Sequence, residues 1–169
     1  MIYDVEELPT HGGSLRVYGC YAEKSISATS TVDAVLAAEV RQGLSDLEIY
    51  QAFQIKADRV KDNFIGFLIE QKCLGKKVAA YGAAAKGNTL PGIKPDLLSF
   101  VCDAAASKQG KFMPGSHIPI LSPDVLLDKR PDYLVILPWN IVSEVKIQNA
   151  RLAEFGTKFV TAVPTLQIV

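Results

Sequence analysis

The 169 residues are about half apolar, and 18 basic against 18 acidic side chains leave no formal net charge. A chain of this size buries one sizeable core, and its balance of charge excludes the broad basic field that nucleic acid or an anionic membrane surface requires. Three scattered cysteines, Cys20, Cys73 and Cys102, form no CxxC pair and argue against both a disulfide framework and a thiolate metal site.

In chain order, residues 2–8 and 14–20 read as two short strands around the turn Pro9-Thr10-His11-Gly12-Gly13. A lone hairpin is marginal in water, so the pair is expected to complete a sheet of a larger domain, with Met1 an added start. A small, polar stretch leads to a short helix marked by Val32, Val35, Leu36, Glu39 and Val40 and ended by Gly43. From Leu44 the pattern is more regular: Leu47, Tyr50, Phe53, Ala57, Val60, Phe64, Phe67 and Leu68 recur at helical spacing. This predicts a long amphipathic helix with Ser45 or Asp46 as N-cap and Gly75 as its stop. After Lys76-Lys77 the period changes. Val78–Tyr81 is a compact apolar run ended by Gly82, with a small-residue loop and a helix to follow, the opening of a nucleotide-binding half-domain. Further strands are predicted over 97–102, 118–121, 133–137 and 159–163, with a short helix over 123–127 led by Ser122 and a longer one over 141–155 closed by Gly156. The fold class that follows is α/β: a Rossmann-like three-layer domain with a mostly parallel sheet, preceded by a short β-hairpin and a long amphipathic helix. No run is long and apolar enough to span a bilayer and no basic leader precedes an apolar stretch, so a reduced protein of the cytoplasm is expected, without membrane or nucleic-acid partners.

Three groups of residues point to chemistry. Tyr81-Gly82-Ala83-Ala84-Ala85-Lys86-Gly87-Asn88-Thr89 sets small residues, a lysine and a hydroxyl where a helix is expected to begin, which suits a phosphate; close helix–sheet packing explains the small residues equally well. It is neither a Walker A motif nor GxGxxG. Asp103, followed by Lys108-Gln109-Gly110-Lys111 and Pro114-Gly115-Ser116-His117, comes after the second strand, where open α/β sheets place their ligand crevice; alone it is also what a solvated basic loop looks like. Pro138-Trp139-Asn140 ends a later strand, with Trp139 able to stack and Asn140 able to hydrogen-bond or cap the next helix. All three fall at strand ends on one edge of one sheet, and that convergence favours a ligand. His11 reads as a general base, a substrate contact or simply a turn histidine, and no partner stands near it at metal-ligand spacing.

These motifs together resemble those of the nucleotide-sugar C-methyltransferases that act on deoxysugars. The resemblance covers nearly the whole chain, through the stretch from Asp4 to Tyr18, through Tyr81 to Thr89, Lys108 to Lys111 and Pro114 to Ile120, and through Leu137-Pro138-Trp139-Asn140. It implies that residues 1–22 are the closing hairpin of a truncated methyltransferase domain, 23–75 a linker with helices, and 76–169 a Rossmann-like nucleotide-sugar-binding domain. It also implies that S-adenosylmethionine and zinc belong to upstream domains, that this chain binds no cofactor or metal, and that alone it methylates nothing. Lys86, Lys108, Lys111 and the amides near Gly87 would hold the diphosphate, with Gly82, Ala84, Asn88, Thr89, Asp103, His117, Trp139 and Asn140 completing the substrate site and His11 near the catalytic domain. The chain departs from the family pattern at Leu90-Pro91-Gly92-Ile93, since proline is tolerated only in a helix's first turn. A free-standing Rossmann-like nucleotide-binding or regulatory module is the rival reading, and a vestigial supporting domain a third.

Overall fold

The computed structural model describes residues 1–84 and 92–169, save the side chain of His11. Contacts divide the chain into two compact units, Met1–Lys56 and Ala57–Val169. In the first, β1 (Ile2–Leu8) and β2 (Ser14–Gly19) pair antiparallel, Val5 opposite Val17, and join no other strand. Helix α1 (Ser30–Arg41) is tied to them by Asp4, whose Oδ1 accepts the hydroxyls of Thr29 and Thr31 at 2.7 Å each. Thr29 stands at the N-cap yet gives its hydroxyl to Asp4 rather than capping the backbone, so the Asp4 carboxylate faces the helix's positive end instead. No described residue of this unit is buried, and Ile2, Leu15, Val17, Leu36 and Val40 all stay more than half exposed.

Helix α2 (Leu47–Cys73) is the long amphipathic helix that the spacing predicts. It ends at Gly75, whose φ of 68° lets its N–H reach the Lys72 carbonyl while the Lys76 N–H reaches that of Gln71, so the last turn is satisfied by a Schellman closure.

In the second unit, β3 (Val78–Tyr81), β4 (Val101–Cys102), β5 (Ile120–Leu121), β6 (Tyr133–Ile136), β7 (Lys158–Thr161) and β8 (Gln167–Ile168) form one sheet in the order β5-β4-β3-β6-β7-β8. All neighbours are parallel except the antiparallel edge pair β7–β8. Counted from its own first strand this is the 3-2-1-4-5-6 order of doubly wound nucleotide-binding folds, with the switch point between β3 and β6. Alternation along the strands builds two cores. Val78, Ala80, Val101 and Val135 face Phe64, Phe67 and Leu68 of α2, while Ala79, Tyr81, Leu134 and Ile136 face Leu126, Val145 and Leu152 on α3 (Val125–Lys129), α4 (Val142–Gln148) and α5 (Ala150–Glu154). Helices on both faces give the expected three layers.

Some elements differ from expectation. Strands β4 and β5 are shorter than predicted, and the helix expected over 141–155 is a 3-10 turn, Trp139–Ile141, followed by α4 and α5. The break falls at Asn149, whose Nδ2 donates to the Val145 carbonyl at 2.8 Å, a side chain competing with the backbone for a helical acceptor. The edge strand β8 has no counterpart in the sequence reading, being two exposed residues long.

The amino end of the sheet is pinned by Asp132, whose Oδ2 accepts the Lys77 N–H at 2.8 Å and whose Oδ1 accepts Lys76 Nζ at 3.0 Å. The Lys77 amide first and the Lys76 ammonium second hold this carboxyl below its ordinary 3.8. A group depressed in the folded state binds its proton first in the unfolded chain, so its contribution is complete above the ordinary carboxylate range and is lost as pH falls through the folded value. Asp132→Asn is therefore expected to lower stability at neutral pH and to flatten its fall below about pH 4, as read by denaturant unfolding across pH; an unchanged acid limb would contradict the assignment.

Candidate functional site

Three loops meet at the carboxyl ends of the central strands. The Gly82 N–H bonds the Cys102 carbonyl at 2.7 Å, the Asp103 N–H bonds that of Leu121 at 3.1 Å, and the Leu137 N–H bonds that of Tyr81 at 3.0 Å, so the sheet ladder itself delivers the first residue of each loop to one edge. Gly82 adopts φ 92°, and a Cβ built on it would lie 2.5 Å from Pro138 Cδ and 2.8 Å from Cγ. Close approach of the β3 and β6 loops at the switch point thus accounts for this glycine without a ligand.

Asp103 is the hub of the edge. Its Oδ1 accepts the Ala105 N–H at 2.8 Å and its Oδ2 accepts Lys108 Nζ at 2.9 Å, while Gln109 Nε2 donates to its carbonyl at 2.9 Å. Burial alone would push its carboxyl up; the Ala105 amide, the Lys108 ammonium and the Ala83 amide outweigh that and leave it below its ordinary value, ionised at neutral pH. The Asp103 side chain is 10% exposed and that of Lys108 42%, so the ammonium closes the solvent side of an otherwise covered carboxylate.

After Gly110 the chain turns back along β5: the Ile120 N–H bonds the Lys111 carbonyl, Phe112 stands opposite Pro119, and the Met113 N–H bonds the Ile118 carbonyl. Lys111 therefore starts one residue from the end of β5, within reach of the edge. His117 sits in the far turn at φ 57°, before β5 rather than after it. The four residues 118–121, the last two of them β5, separate it from the edge by roughly 13 Å if extended, so it does not join the cluster. Trp139 and Asn140 lie half-buried in the 3-10 turn beyond β6, on the edge itself. Asn140 is not the cap of the next helix: the N-cap position of α4 is Ile141.

Gly82, Ala84, Asp103, Lys108, Lys111, Trp139 and Asn140 are thus brought to one edge. Lys86, Gly87, Asn88 and Thr89 lie outside the described residues, as does the His11 side chain, whose backbone belongs to the hairpin turn of the first unit. The Ala83 and Ala105 amides escaped the sequence reading because backbone donors leave no side-chain signature.

The described side chains at this edge offer charge and hydrogen bonds, through Asp103, Lys108, Lys111 and Asn140, and one large aromatic face, through Trp139. Cys102, the thiol beside this edge, is pushed up to about 12 by burial and donates to the Ser122 carbonyl, so it is no nucleophile at neutral pH. Among the described residues, no three His, Cys, Asp or Glu side chains are grouped to hold a metal ion, and no helix is long and apolar enough to cross a membrane. A groove of about 490 Å³ lined by Lys77, Phe100, Pro119, Lys129 and Pro131 lies at the opposite, amino edge and collects none of these residues.

Comparison with known proteins bears on the same stretch of chain. The family model described as C-methyltransferase C-terminal domain matches residues 9–164. The chain is also similar to the C-methyltransferase NovU of Streptomyces niveus, 32% identical over 171 aligned residues, which cover 99% of this chain and 41% of that relative. The chain thus spans about two fifths of the length of this curated relative.

Proposed function

Because the chain belongs to the C-methyltransferase C-terminal domain family, we propose that it is the part of an S-adenosylmethionine-dependent sugar C-methyltransferase that receives a nucleotide-linked deoxysugar. The observation that carries this reading is the meeting of the Gly82–Ala84, Asp103–Lys111 and Pro138–Asn140 segments at the carboxyl edge of a sheet in doubly wound order. In this reading Lys108 and Lys111 meet a diphosphate, Trp139 offers a face to a base or sugar ring, and Asn140 a hydrogen-bonding amide. By the same reading Lys86 and the amides near Gly87 hold that diphosphate.

In this reading the methyl donor and a structural zinc belong to a preceding catalytic domain, which works with this chain in the cytoplasm. There a base would remove a proton from the sugar carbon next to a keto group, and the carbanion would take the methyl group from the donor's sulfonium, breaking its S–CH3 bond and leaving the neutral thioether. This chain's residues hold the nucleotide end and so fix that carbon in place, a contribution of several kcal/mol when reacting groups are well oriented. The first unit supports the division of labour: with no described residue buried, it has no core of its own and offers Leu15, Val17, Leu36 and Val40 to a covering domain.

Titration calorimetry of the 169-residue chain provides the test. A nucleoside diphosphate-sugar is expected to bind, and Lys108→Ala or Lys111→Ala to weaken it about tenfold, the value of one charge-assisted hydrogen bond, with the fold retained. S-adenosylmethionine is expected not to bind. Micromolar binding of the donor, equal titration of wild type and both variants, or a preference for NAD or coenzyme A would each overturn the reading, the last in favour of a free-standing nucleotide-binding module.

A further inference from the structure

We propose that Asp103 receives one hydroxyl group of the ligand's pentose, which makes the site selective for nucleotides that carry a free sugar hydroxyl and hostile to those phosphorylated there. The inference rests on the nucleotide-binding reading above and names the part of the ligand that this carboxylate meets.

Place comes first. Asp103 is the residue immediately after β4, the strand that flanks β3 in the sheet, and it follows Gly82 by about 20 residues, where doubly wound folds present an acid to a nucleotide's ribose. The carboxylate takes the Ala105 amide of its own loop at 2.8 Å and is also stabilised, more weakly, by the Ala83 amide of the β3 loop that would lie under the ligand. A hydroxyl donated to it is therefore anchored at the junction of two loops.

Capacity comes second. An ionised carboxylate offers about four acceptor positions. Ala105 and Lys108 use two, one on each oxygen, which leaves room for a ligand donor. The direction of access is the side held by Lys108, whose 42% exposed side chain forms an ion pair of the kind that solvent weakens and that yields readily to a better partner. When a nucleotide arrives, Lys108 can turn toward its phosphates while Asp103 keeps the Ala105 amide and accepts the hydroxyl. The charge decides the specificity: a carboxylate with 10% of its side chain exposed accepts a hydroxyl and repels a phosphate ester at the same position.

The test uses three ligands that differ only in their hydroxyls, uridine diphosphate and its 2′-deoxy and 2′,3′-dideoxy analogues, titrated into the 169-residue chain and into its Asp103→Asn variant. For the wild type, loss of the last hydroxyl is expected to weaken binding at least about tenfold. For Asp103→Asn the three ligands should bind within about twofold of one another, so that the two deletions are non-additive. A 2′-phosphorylated ligand should bind the wild type more weakly than the unmodified one, and Asp103→Asn should narrow the gap. Additive losses, or a wild type indifferent to the hydroxyls, would show that Asp103 only pins the loops. If Asp103→Asn fails to fold, the comparison of ligands on the wild type still decides. Absence of any uridine nucleotide binding by the wild type would defeat the nucleotide reading itself, whereas binding without hydroxyl dependence defeats this inference alone.

Discussion

Phe64→Ala is expected to destabilise the second unit by about 3–5 kcal/mol, the cost of emptying a large aromatic site that cannot close. Phe64 is fully buried, and beside it on α2 stand Leu68, also fully buried, and Phe67, whose ring meets that of Tyr133 edge-on at 5.2 Å. The strand beneath contributes little bulk on this face, only Val78 and Ala80 from β3, so the aromatic rings of the helix fill the layer. Small strand residues cannot rearrange to occupy the space a phenyl ring vacates. Denaturant unfolding should show a lower midpoint with an unchanged slope. Phe53 provides the control. It lies on the same helix at the same spacing but is 67% exposed, and Phe53→Ala should change stability by no more than about 0.5 kcal/mol. Equal effects of the two substitutions would mean that the apolar stripe of α2 is not divided as described.

That contrast also shows where the sequence was informative. The repeat from Leu47 to Leu68 specifies a helix and its apolar side, because a period of 3.6 residues is a local property; it does not say which part of the stripe finds a partner. The run Val78–Tyr81 followed by Gly82 is equally local, and both the strand and its end were legible. Strands β4 and β5 were overestimated because Leu98, Phe100 and Ile118 are apolar for core reasons while only Val101–Cys102 and Ile120–Leu121 sit in the ladder. Asn149 was hidden inside an otherwise helical pattern, since its effect depends on where its amide points. At the carboxyl edge, Asp103, Lys108, Trp139 and Asn140 could be picked out because side chains with chemistry follow strands. What completes that edge is backbone: the amides of Ala83 and Ala105, and the pressing of Pro138 on Gly82, which joins residues more than fifty positions apart. No period or motif encodes such a contact. It also changes the meaning of the glycine, from a gap left for phosphate to a gap already filled by proline.

Gly82→Ala follows from that contact and should be the most damaging single-atom change at the site, costing about 2–6 kcal/mol. About 1–3 kcal/mol of this is backbone strain, because φ 92° lies where side-chain-bearing residues are rarely found. The remainder, about 1–3 kcal/mol, is overpacking: the new methyl would stand 2.5 Å from Pro138 Cδ, and a proline ring has no rotamer with which to retreat. The two parts can be separated. Pro138→Ala in the Gly82→Ala background should recover the overpacking share and leave the strain, so the pair is expected to be coupled by about 1–3 kcal/mol in a double-mutant cycle. Binding should suffer beyond stability. Gly82 bonds Cys102 through its N–H and Ala84 through its carbonyl, so a displaced residue 82 carries the Ala83 amide away from Asp103 and loosens the junction of the β3 and β4 loops. Nucleotide affinity of Gly82→Ala is therefore expected to fall by tenfold or more at temperatures where the variant is still folded, an effect of about 1.4 kcal/mol or greater, and Pro138→Ala should restore it in part. A Gly82→Ala chain with wild-type stability would refute the contact, and one that is destabilised yet binds nucleotide normally would detach the β3 loop from the site.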